Sequence, residues 1–125
     1  MTQLPDLRRT LATDTAEALS WTAYPTVQQA VTLPSITVQT RDPSTSYRQL
    51  GGRYLEAIYH LGVVALVGRG EAAEAKLGEL LDPDGPLVRA LVKAGGVVLG
   101  ASEMRTYVTG GGESLGLQFD VDMDG

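Results

Sequence analysis

The chain has no cysteine, which removes disulfides, thiolate metal sites and thiol catalysis together. A single histidine, His60, leaves little room for imidazole chemistry. No apolar run approaches the ~20 residues needed to cross a bilayer. The first residues, MTQLPDLRRTLATD, lack a long apolar stretch as well, so the expectation is a protein kept in the cytosol of the cell that makes it, with no membrane partner. Basic residues are scarce in the second half. Residues 1–62 balance five basic against five acidic side chains, whereas residues 63–125 set five against ten. A surplus of that sign argues against gripping nucleic acid, which depends on lysine and arginine displacing counterions. It is compatible with standing close to DNA and repelling it.

What is present is ordinary for a globular domain: 125 residues, 43% apolar and 20% charged, read as one domain over residues 1–125. The organising stretch is RYLEAIYHLGVVALVGRG, residues 53–70. Leu55, Ala57, Tyr59, Leu61, Val63, Ala65 and Val67 are all apolar. The intervening positions are mixed up to His60 and turn apolar at Val64 and Leu66. Alternation of that kind predicts a strand with one face buried throughout and the other only in its second half. At ~3.3 Å per residue it spans about 45 Å, so a bend, bulge or crossing is expected near Gly62.

Leucines at 4, 7 and 11 with Ala18 and Leu19 predict an amphipathic helix from Leu4 to about Ser20, with Arg8 off its apolar stripe. Trp21 to Pro34 reads as connection. A short strand is expected from Ser35 to Thr40, stopped by Asp42-Pro43. The polar segment Arg41–Gly52 then reads as a long loop, free or engaged by a partner. Glu71–Leu81, with Ala73, Leu77, Leu80 and Leu81 inward, and Pro86–Ala94 are helices. One strand follows between Val97 and Val108, then a glycine-rich hairpin, then a last strand from Leu115 to Met123. In that strand Leu117, Phe119, Val121 and Met123 alternate with Gln118, Asp120 and Asp122. The order α-β-β-α-α-β-β is an α+β domain with a mainly antiparallel sheet and helices packed against it.

Chemistry is sparse along this line. His60 needs an orienting acid, and Glu56 on its own strand lies ~13 Å away. It therefore reads as a packed or half-exposed strand histidine, and no nucleophile–base–acid set is legible. Gly68-Arg69-Gly70-Glu71 lacks the third glycine of a dinucleotide fingerprint and the Gly-Lys-Ser/Thr ending of a Walker loop, so it reads as a strand-to-helix turn. Asp120, Asp122 and Asp124 alternate along a strand ~7 Å apart, which splays them as a solvated acidic face rather than a metal site.

Together these pieces resemble the tail terminator proteins of long-tailed bacteriophages, especially those of actinobacterial hosts. The resemblance covers most of the chain. It rests on the N-terminal helix, the strand LPSITVQT, Gly51-Gly52-Arg53, the run VALVGRGEAAEAKLGELLDPDGPLVRAL, and the ending GESLGLQFDVDMDG. It departs at Gly110–Gly112, where relatives carry a longer loop. The resemblance implies a non-enzymatic virion protein without cofactors, assembled in the host bacterial cytoplasm. Such a protein forms a homo-oligomeric ring, typically a hexamer, at the head-proximal end of the tail. It would meet the major tail tube protein on one side and the head–tail connector or stopper on the other, with DNA passing unbound through its lumen. Asp120, Asp122 and Asp124 are the expected acidic lumen or rim face. Arg41, Asp42, Tyr47, Arg48 and Arg53 form the expected subunit or tube contact loop. A stopper or completion ring, a small ligand-binding enzyme and a monomeric adaptor are the alternatives.

Overall fold

The computed structural model describes residues 4–25, 33–50, 52, 54–109 and 112–124. Three helices and six strands follow in the order α1 (Leu4–Leu19), β1 (Thr22–Tyr24), β2 (Ser35–Leu50), β3 (Tyr54–Gly68), α2 (Glu71–Leu80), α3 (Pro86–Lys93), β4 (Val97–Ala101), β5 (Arg105–Thr109) and β6 (Gly112–Asp124). The strands form one sheet in the order β1-β2-β3-β6-β4, with β5 continuing along the same side of β6 as β4. All pairings are antiparallel except β1 with β2. The expected α+β class is the one observed.

Burial explains which face meets the helices. Ile36, Val38, Leu61, Val63, Ala65, Leu117, Phe119, Val121 and Met123 join one cluster with Leu7 and Leu11 of α1, Leu77 and Leu80 of α2, and Leu87 and Leu91 of α3. The register confirms a shared face: Val63 lies between Val38 and Phe119, and Leu61 between Thr40 and Val121. Each fully buried large side chain contributes about 1.5–3 kcal/mol. The last strand alternates as expected, with Leu117, Phe119, Val121 and Met123 buried. Val64 and Leu66, on the opposite face, are buried too, as the second half of the long strand required.

Several expectations need correction. Arg41–Gly52 is not a loop, because β2 runs through Asp42-Pro43 to Leu50 and pairs with β3 up to Leu50↔Tyr54. The extra residues are absorbed in β2, where the register jumps between Thr40↔Leu61 and Thr45↔Tyr59. Arg41 to Ser44 therefore bulge opposite His60, which leaves both neighbouring ladders intact. The irregularity expected near Gly62 is this bulge, which lies on the partner strand; Gly62 itself keeps regular pairings with Gln39 and Asp120. Its bareness makes room for Gln118, whose side-chain amide would lie 2.7 Å from an added Cβ. That amide is the far end of a flexible side chain, so Gly62→Ala is expected to cost less than about 1 kcal/mol in a denaturant titration.

Smaller differences concern element ends. The connection after α1 holds the short strand β1, and Val97–Val108 is two strands rather than one. On α1 the buried stripe passes through Ala12, Thr15 and Ala16, leaving Ala18 exposed. Arg8 is not off the stripe but reaches the sheet, donating to the Val38 carbonyl at 2.9 Å. Leu81 is exposed because α2 ends one residue before it. No helix among the described residues is long and apolar enough to cross a membrane.

Candidate functional site

The face of the sheet opposite the helices carries the polar side chains, and one cluster there joins three strands. His60 of β3 stands directly opposite Asp122 of β6 in the ladder. Residues opposite each other share a face, so the carboxylate reaches the ring: His60 Nδ1 lies 2.6 Å from Asp122 Oδ1. On its other side, Ser46 of β2 pairs with Ile58, two residues before His60 and therefore on the same face. Its Oγ lies 2.9 Å from His60 Nε2. The carboxylate fixes the proton on Nδ1, so Nε2 is left to accept from the serine hydroxyl.

Arg41 enters from the bulge. Its Nη2 donates to Asp122 Oδ1 at 2.5 Å and its Nε to the Leu61 carbonyl at 3.1 Å. The same Nε stands 4.0 Å from Asp120. Arg41 Nη2 also approaches His60 Nδ1 to 3.4 Å, but both are donors in this tautomer, so the carboxylate between them holds the two cationic or polar groups together. The side chains of Arg41, Asp122 and His60 are 22%, 23% and 18% exposed. A second chain of bonds continues outward, from Gln39 Nε2 to Gln118 Oε1 at 2.7 Å and from Gln118 Nε2 to Asp120 Oδ1 at 2.9 Å.

The acidic stripe is therefore not a uniform row of free carboxylates. Asp122 is bound on both sides, Asp120 is partly neutralised by Arg41, and Asp124 is exposed. The residues expected in a contact loop are distributed along a strand instead. Arg41 turns inward to the cluster, Asp42 is exposed within the bulge, and Tyr47 is 69% exposed further along β2. Arg48 is held by Glu56 across the β2–β3 ladder, its Nε donating to Oε2 at 2.9 Å. That hydrogen bond, followed by the attraction of the same carboxylate, raises the Arg48 pKa above its ordinary value. Arg53 lies outside the described residues.

Sequence reading missed the partners of His60 because it searched its own strand. Glu56 faces Arg48 instead, as the spacing demanded. Ser46 and Asp122 are 14 and 62 residues from His60 and become neighbours only through register. Among the described residues no group of His, Cys, Asp or Glu is arranged to hold a metal ion. A groove of about 610 Å³ lies between α1 and α3, walled by Asp14 and Glu17 on one side and Arg89 and Lys93 on the other. None of the cluster residues lines it.

The fold and its polar face define an α+β domain in which α1, α2 and α3 all join the core cluster on one face of the sheet. Comparison with models of known protein families and with curated proteins finds no match to this chain.

Proposed function

We propose that this chain is a structural virion subunit that assembles as a ring, hexameric by the resemblance, at the head-proximal end of a phage tail tube. It ends tube polymerisation there and joins the tail to the head connector, with DNA passing through the lumen. Support comes from one architectural observation: two unlike contact surfaces sit at different places on the sheet. A ring needs two such heterologous patches, and closure of the rotation stops the assembly becoming a filament.

The first surface is the end of the β2–β3 hairpin. Beyond the last β3–β6 pair, Ile58↔Asp124, the four pairs from Tyr47↔Ala57 to Leu50↔Tyr54 continue without a third strand among the described residues. That is a projection of about 13 Å. A two-stranded ribbon is marginal alone and gains from a neighbour. Tyr47 stands exposed on it. The second surface is the β4 strand with its apolar residues Val97 and Leu99, which are 61% and 56% exposed. Strand β4 ends the sheet there and offers its free edge. Asp120 and Asp124 supply the negative surface that suits a DNA passage, since repulsion lets the duplex slide.

The experiment is electron microscopy of the purified protein, alone and with tail tube subunits. Rings capping one end of tubes of uniform length are the expected result. Tubes that elongate equally with and without the protein would exclude the terminator role. Rings that bind only the head connector would favour a stopper or completion protein.

A further inference from the structure

The cluster on the open sheet face has a property that ring assembly does not use. Ser46 Oγ, His60 Nε2, His60 Nδ1 and Asp122 Oδ1 form a chain with steps of 2.9 and 2.6 Å across the ring. That is the connectivity of nucleophile, general base and orienting acid, a constellation defined by geometry and roles rather than by order in the sequence. From it we infer that Ser46 is an activated nucleophile, acylated by esters with good leaving groups. This inference is independent of the collar reading, and each can fail without the other.

The roles follow from the bonds. Asp122 is the positioning residue: it holds the Nδ1–H tautomer and stabilises the imidazolium that forms. Arg41 fixes that carboxylate in place, donating to the same Oδ1. His60 Nε2 takes the hydroxyl proton as Ser46 Oγ attacks the carbonyl carbon. The Oγ–carbonyl bond forms, the bond from the carbonyl carbon to the leaving oxygen breaks, and the imidazolium returns its proton to that departing oxygen. Ser46 is half-buried and lies on the sheet face away from the helix core cluster.

The same geometry sets the substrate class. The contacts around Ser46 include no donor assigned to an oxyanion, and one such donor is worth about 10²–10³ in rate. What the cluster supplies is general-base assistance, roughly 10²–10⁴-fold. Activated aryl esters fall within that reach, and amides do not.

The test uses the whole folded chain and 4-nitrophenyl acetate as probe. One acetyl group per chain, located by mass spectrometry on Ser46, is expected, with a rate roughly 10²-fold or more above that of the denatured chain. Ser46→Ala removes the site. His60→Ala slows acylation by a similar factor, and added imidazole restores part of the rate. The bond to Asp122 has its own signature, a downfield Nδ1 proton resonance that Asp122→Asn abolishes along with fast acylation. Acetyl groups confined to lysine, tyrosine or the N-terminus would overturn the inference. So would a Ser46 rate unchanged in a folded His60→Ala protein.

Discussion

Asp122→Ala is expected to lower the unfolding free energy by about 2–3 kcal/mol in a denaturant titration. The carboxylate receives Arg41 and His60 at 2.5 and 2.6 Å. Removing it strands a guanidinium whose side chain is only 22% exposed, leaving it the Leu61 carbonyl and a distant Asp120. Breaking a buried pair costs about 3–5 kcal/mol, and an exposed one at most about 1. With roughly a quarter of each partner open to solvent, the expected value falls between these limits. A double-mutant cycle with Arg41→Ala checks the cause, because the double variant leaves no uncompensated cation and should recover part of the loss. A folded Asp122→Ala protein within about 0.5 kcal/mol of the parent would show that the cluster does not hold the bulge.

The same reasoning changes how the acidic stripe should be probed. Reversal of Asp122 to lysine places a cation beside Arg41 and His60, so it disturbs the cluster as well as the surface charge. Asp124 is exposed, and Asp124→Lys is expected to alter stability by less than about 0.5 kcal/mol. Within the proposed ring, it is the clean test of negative charge at the DNA passage. Normal infectivity with Asp124→Lys would remove that residue from any such role.

Gly116→Ala is expected to cost about 3 kcal/mol, seen as a fall of about 10 °C in the thermal midpoint. An added Cβ would lie 2.5 Å from Leu66 Cδ2, 2.6 Å from the Ala65 carbonyl oxygen and 3.0 Å from Tyr107 Cδ2. Neither of the two closest atoms can yield cheaply. Leu66 is 4% exposed and Ala65 belongs to the β3–β6 ladder, so relief requires moving backbone in the middle of the sheet. The contrast with Gly62 is instructive. There the nearest atoms belong to the flexible amide of Gln118, and the same added methyl is expected to be tolerated. Equal midpoints for the two variants would refute the distinction between rigid and yielding neighbours.

Sequence alone determined the features that burial writes as a local period. The alternation in β6, the one-sided then two-sided apolar character of β3, and the stripe through Leu7 and Leu11 are each legible because a buried face repeats every two or every 3.6 residues. Tertiary structure decided the polar cluster on the other face, where no burial period marks the side chains that meet. Asp42-Pro43 is a local stop signal, yet pairing with β3 carried the strand past it, and three extra residues became a bulge. Arg41 and Asp122 are 81 residues apart, and the choice of strand neighbours and register alone brings them, His60 and Ser46 into contact.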